Sequence, residues 1–206
     1  MTEATDDTTE ATGLVLPRPR RERSTRDRLI DAAVVLTAEE GWAAVTMVKL
    51  AEAAHVSRQT VYNEIGTRAE LAEAMILREL ERFLSCVTDA FASNDELLPA
   101  IRQASYAVLE RAQDNRLLHA IVSATHGADT ELLPFLTSHS HGLLGFATAL
   151  IREQLDRFDH GLSPEEADTA IEAVVRIVLS HVMQPGDVPE RTADDIAWLA
   201  GRVLHL

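Results

Sequence analysis

The sequence is poor in aromatics, cysteine and long apolar runs, and each shortage excludes something. Aromatics make up 4% of residues against 46% hydrophobic content, which is carried mainly by Ala, Leu and Val. That balance favours helices over sheets. No apolar run reaches the roughly 18 residues that suggest a membrane span. The acidic start, with Glu3, Asp6 and Asp7, is unlike a signal peptide. No membrane partner is expected, and a cytoplasmic location is. Cys86 is the one cysteine, so no internal disulfide can form and a reducing compartment fits. Its apolar helical setting reads as a buried structural thiol in preference to a redox sensor.

Positive charge is also scarce. Nineteen Lys and Arg face 33 Asp and Glu, a net charge of -14 over 206 residues, which argues against a nucleic-acid partner until the distribution is read. Residues 14–68 hold nine basic and seven acidic side chains, whereas residues 69–206 hold ten basic and 22 acidic ones. A mildly basic module joined to an acidic body is the charge pattern of a DNA reader with a second, non-DNA function.

Residues 1–13 are rich in Thr, Ala and acids and have nothing to bury, so disorder is expected. The stretch Pro17-Arg18-Pro19-Arg20-Arg21 is extended and basic, and its prolines separate it from the helix that follows. From there the chain reads as capped helices. Ser24 with Asp27 opens one that ends at Gly41; Thr46 opens a short one to Ala54; Ser57 opens another to about Asn63. After Gly66, Thr67 and Glu70 form a capping box for a long helix to about Ala92. Further helices are expected over about 95–114, 116–126, 132–159, 164–184 and 193–206. Ser163-Pro164-Glu165-Glu166 is a strong start signal, and the run from Pro185 to Pro189 a stop. No useful segment alternates with period two. The fold class is all-α, with about nine helices.

The informative stretch runs over residues 41–71. Two short helices joined by a tight turn let the second enter the DNA major groove. Leu50, Ala51 and Ala54 allow close packing, Val56 and Val61 supply buried contacts, and Ser57 caps the second helix. Arg58, Gln59, Thr60, Tyr62 and Asn63 crowd polar groups onto a helix too short to need them for solubility. The pattern of Gly41-Trp42, Thr46, Leu50-Ala51-Glu52-Ala53-Ala54, Val56-Ser57, Thr60-Val61-Tyr62 and then Arg68 resembles the signature of the TetR family of bacterial transcriptional regulators.

The resemblance covers about the first 75 residues. It implies a tail and basic arm over residues 1–23, a three-helix helix-turn-helix DNA-binding domain over 24–66, and a helical ligand-binding and dimerisation domain over 67–206. It also implies a homodimeric regulator of double-stranded operator DNA, a repressor by expectation, under the control of a small molecule. Three positions depart from the family pattern. His55 stands where Gly is usual, Asn63-Glu64-Ile65 follows Tyr62 where many members have a His-Phe ending, and Lys49 replaces an early acid. A cation in a helix's first turn opposes the dipole, which makes sense beside a phosphate.

DNA contacts are accordingly expected from the arm residues Arg20, Arg21 and Arg23, from Thr46, Lys49, Ser57, Tyr62 and Arg68 towards the backbone, and from Arg58, Gln59, Thr60 and Asn63 towards base edges. The apolar lining available in the later helices points to a lipophilic effector, with a long-chain fatty-acyl compound as the leading candidate. Phe83, Val87, Phe91, Tyr106, Leu118, Val122, Phe135 and Phe146 are its candidate contacts, although most such residues must simply be core. Dimerisation is expected through the last two helices. His119, His126, His139 and His141 lack a completing Cys or carboxylate cluster, so no metal is expected. No cofactor is expected, and no nucleophile elbow, phosphate loop or metal-hydrolase helix suggests an enzyme. The competing reading is a helical binding or scaffold protein whose helix-turn-helix does not touch DNA.

Overall fold

The computed structural model describes residues 23–119 and 140–204. Among them are eight α-helices, one short 3-10 helix and no strand. Helix α1 spans Thr25–Glu40, α2 Met47–Ala53, α3 Arg58–Glu64, α4 Arg68–Ala92 and α5 Leu97–Gln113. Helix α6 spans Ser140–Leu155, α7 Pro164–Met183 and α8 Pro189–Val203.

The caps form where the side chains demand them. Ser24, Thr67 and Ser163 each accept from the backbone N–H three residues on, and Asp27, Glu70 and Glu166 return the bond to the cap residue's own N–H. Each box satisfies two amides that a helix start leaves without partners. Gly66 has φ 89°, and a Cβ there would collide with the Glu70 carboxylate that closes the box; this turn therefore needs glycine. Two boundaries differ from the sequence expectation by four residues: α6 ends at Leu155, not near Asp159, and the other is a start. Helix α8 begins at Pro189, not near Ala193, because proline lacks only the N–H that the first helical position leaves unbonded.

Two apolar clusters organise the packing. The first joins Leu29, Ala33, Trp42, Leu50, Val61 and Ile65 to Leu71 and Met75 of α4, and it extends to Leu117, which is 2% exposed. Burying each of the large side chains contributes about 1.5–3 kcal/mol. The second joins Val87 and Phe91 of α4 to Leu97, Ala100 and Ala104 of α5, Leu155 of α6, Ile171 of α7 and Ala200 of α8. Phe91 meets Phe158 edge to face, with ring centroids 5.9 Å apart, a favoured aromatic geometry. Helix α4 thus has one end in each cluster. Its 25 residues span roughly 37 Å at the α-helical rise.

Polar contacts fix α4 against α1. Arg78 of α4 reaches both Asp27 and Asp31 of α1 and donates to the Asp27 carbonyl at 3.0 Å. Arg82 adds Asp31 at 3.4 Å and Glu79 at 3.2 Å. Asn115 donates to Glu79 at 2.6 Å, drawing the segment after α5 into the same junction.

Candidate nucleic-acid interface and effector cavity

Helices α2 and α3 pack at the edge of the first cluster through Leu50, Ala51 and Val61. The turn between them carries His55 at φ 54°, so the histidine that stands in place of glycine does occupy the left-handed region. Ser57 accepts from the Thr60 N–H at 3.0 Å and starts α3; Thr46 accepts from the Lys49 N–H at 3.2 Å and starts α2. Val61 turns inward while Arg58, Gln59, Tyr62 and Asn63 turn outward, and Thr60 is half-buried. Tyr62 is 54% exposed, an open position for a large side chain on a short helix. Gln59 donates to Asn63 at 2.9 Å, which orients both amides on the outward face. Arg58 has no partner among the described residues.

The other basic candidates are engaged to different degrees. Lys49 pairs with Glu40 at 2.5 Å, both about half exposed, a contact weak enough in water for a phosphate to replace it. Arg23 is exposed and reaches Asp31 at 3.5 Å. Arg68 is half-buried and also has a structural part. Its guanidinium lies 4.5 Å from the Trp42 ring centroid and donates to the Trp42 carbonyl at 2.5 Å, so it staples α4 to the turn after α1. Arg20 and Arg21 lie outside the described residues.

Two arginines were counted only as charge in the sequence and turn out to build the module. Arg28 donates to the Ala54 carbonyl at 2.6 Å, and Arg26 donates to the Glu64 carbonyl. These carbonyls sit at the C-terminal ends of α2 and α3, where cations are favoured. The signal was present: both arginines lie in the unfavourable first turn of their own helix, so their partners had to be elsewhere.

A cavity of about 360 Å³ lies between α4, α5, α6, α7 and α8. Phe83, Val87, Phe91 and Leu118 of the expected contacts line it. Its described lining is otherwise aliphatic apart from the Met183 thioether, with one hydroxyl, that of Ser105. Tyr106 and Phe146 do not line it. The Tyr106 hydroxyl donates to Glu110 at 2.5 Å, a bond that raises its pKa together with partial burial and the nearby carboxylate charges, and Phe146 is exposed. In each case the adjacent position, Ser105 or Ala147, faces inward instead, a rotation of about 100° on a helix. Val122, Phe135, His126 and His139 lie outside the described residues.

The faces of α7 and α8 divide. Ala167 and Ile171 of α7 and Ile196, Ala200 and Leu204 at the α8 end are buried within the chain, whereas Leu179, Met183, Trp198, Leu199 and Val203 are exposed. The outward apolar surface is therefore narrower than the sequence pattern suggests. Among the described residues no helix is long and apolar enough to cross a membrane.

Comparisons with known proteins agree with this architecture. Residues 29–75 match the family model for bacterial regulatory proteins of the tetR family, and residues 96–202 match the C-terminal domain of the bacterial tetracyclin repressor. The chain is 28% identical over 175 residues to the HTH-type transcriptional regulator AlkX of Mycobacterium tuberculosis, covering 84% of this chain and 82% of that one. It superposes on the TetR family repressor AlkX from a Dietzia species, implicated in biodegradation of n-alkanes, with a TM-score of 0.70 and 26% identity. That match covers 88% of this chain and 96% of the other. The fatty acid degradation regulator FadR of Bacillus halodurans shares the fold at a TM-score of 0.59 and 18% identity, with the same coverage of both chains.

Proposed function

The chain belongs to the TetR family of bacterial regulatory proteins, and from that premise we propose that it is a repressor that binds a palindromic operator as a homodimer and is controlled by a small lipophilic effector. The observation that carries this reading is the course of α4. It starts at Arg68, beside the reading helix, and its second half presents Phe83, Val87 and Phe91 to the apolar cavity.

The outward face of α3 supports direct reading by Arg58 and Gln59, with Thr60 and Asn63 beside them. We assign contacts with the phosphate backbone to Arg23, Lys49 and Tyr62, whose side chains reach solvent, and to the arm residues Arg20 and Arg21. Two copies of one chain joined about a two-fold axis read two symmetric half-sites, which makes the operator palindromic. The exposed apolar residues of α7 and α8 are the surface such a dimer would cover. An aliphatic lining with a single hydroxyl suits an apolar chain, and the relationship to a repressor implicated in n-alkane biodegradation points the same way. A long-chain fatty-acyl compound remains the leading candidate.

The test is a mobility shift with DNA from upstream of the protein's own gene, run across a salt series and then with added aliphatic compounds. Sequence-selective binding that weakens steeply with salt, and release by an aliphatic compound, are expected. Binding that no aliphatic compound alters would sink the effector reading, and absence of selective binding would sink the operator reading.

A further inference from the structure

Beside the apolar cavity lies a second compartment of about 160 Å³, between the carboxyl ends of α5 and α7 and the start of α8. The two share Leu118, Val182 and Met183 as a common wall. They also lie end to end along the same helices. On α5 the large cavity takes Ile101 through Val108, and the small one takes Leu109, Ala112 and Gln113. On α7 the large cavity begins at Ala170 and the small one is reached at His181.

Beyond the shared wall, polar side chains join a lining that also includes Leu109, Ala112, Pro185 and Pro189. The small compartment is lined by Gln113, His119, His181, Asp187 and Thr192. Thr192 is 5% exposed, and its hydroxyl has no side-chain partner among the described residues. The His119 Nε2 lies 2.7 Å from the Gln113 carbonyl, which only accepts, so Nε2 carries the proton and Nδ1 is left for another group. His181 has no partner among the described residues. Asp187 is already engaged by the Val188 N–H at 2.8 Å and Arg191 at 3.4 Å.

We infer that this compartment holds the oxygen-bearing end of the effector while its aliphatic chain lies in the large cavity. The ligand class is a terminally oxygenated aliphatic chain, an acid or an alcohol, and not the bare hydrocarbon. Thr192 and the imidazoles of His119 and His181 hydrogen-bond the head group. The flexible thioether of Met183, at the junction, lets the chain pass from one compartment to the other. This assignment rests on the lipophilic-effector reading above and specifies its polar end.

The experiment measures binding of decanoic acid, 1-decanol and decane to the full-length protein by displacement of a fluorescent apolar probe. It is repeated with Thr192→Val, which removes the hydroxyl at nearly constant shape, and with His181→Leu. At least one oxygenated chain should bind about tenfold tighter than decane, the worth of a good hydrogen bond or two. The variants should lose most of that preference while holding decane unchanged, and Thr192→Val should bind operator as the parent does. Decane binding as tightly as both oxygenated chains overturns the head-group site, as does a preference that survives both substitutions. If all three compounds fail to bind, the lipophilic effector itself falls, and this assignment with it.

Discussion

His55 holds a left-handed backbone conformation at φ 54°, which costs a residue with a Cβ about 1 kcal/mol or more relative to glycine. His55→Gly is therefore expected to raise the thermal midpoint modestly, by the equivalent of up to about 1 kcal/mol. A lowered midpoint would mean that the imidazole makes a compensating contact. Arg68 separates structure from DNA contact in the same manner. Its stacking on Trp42 and its bond to the Trp42 carbonyl predict that Arg68→Ala lowers stability by about 1–3 kcal/mol, read by denaturant unfolding without DNA. An unchanged unfolding curve would leave phosphate contact as the main role of Arg68. The sequence motif shows only that a cation stands five residues beyond Asn63; which carbonyl or ring it meets depends on the crossing of α4 and the turn after α1, a long-range fact no local pattern carries. Arg58 and Gln59 make no such internal contact to Trp42. For these two, alanine substitution is expected to leave stability nearly unchanged while costing roughly 1–3 kcal/mol of operator binding and relaxing preference at one base pair each. Equal losses on operator and unrelated DNA would exclude base reading.

At the scale of elements, the helix starts were the most legible features. Ser24 with Asp27, Thr67 with Glu70 and Ser163 with Glu166 announce α1, α4 and α7 because a capping box needs only residues three apart, and all three close. Helix faces were less legible where inward and outward positions adjoin, as with Ser105 and Tyr106. The start of α8 was missed because a proline after a turn reads equally as a stop or as a first helical residue. The boxes also set a pH dependence. Hydrogen bonds from Ser24, Thr67 and Ser163 hold the Asp27, Glu70 and Glu166 carboxyls below their ordinary values, with Arg78 adding to the effect at Asp27. A carboxyl whose folded pKa is depressed contributes stability that is fully present above its unfolded pKa and is lost as pH falls through the folded one. The contribution of Glu70 should thus be complete above the ordinary carboxyl value of 4.5 and fade as the solution becomes more acidic than that. Glu70→Gln removes the titration, so its stability should fall less steeply than the parent's on the acid side of that value. Parallel acid limbs in denaturant titrations of the two proteins would show that this box does not contribute to acid sensitivity.

At the scale of the whole molecule, the proposed control of DNA reading by the apolar cavity requires a physical connection between the two. Two connections run between them. One is α4, with Leu71 and Met75 in the reading module's cluster and Val87 and Phe91 in the cavity wall. The other is the segment after α5, where neighbouring residues part: Leu117 is buried in the reading module's cluster, and Leu118 lines the cavity. The pairs Arg78 with Asp27 and Asp31 tie α4 to α1, and Asn115 with Glu79 ties the segment after α5 to α4. A ligand that displaces α4 or Leu118 must therefore reposition or strain the reading module, since packed clusters deform little. In a dimer, half-sites recur at about 34–36 Å along DNA. Heads that separate by several ångströms lose one of them. If the effector favours the separated state, linkage requires operator DNA to weaken effector binding by the same factor by which effector weakens operator binding. The expected outcome is an effector dissociation constant that rises on adding saturating operator, by a factor equal to the independently measured loss of operator affinity, typically some 5- to 150-fold. Leu117→Ala should reduce that factor while leaving effector affinity in the DNA-free protein nearly unchanged, because Leu117 does not line the cavity. An effector that binds free and DNA-bound protein equally tightly would show that the two sites are not coupled, whatever their affinities.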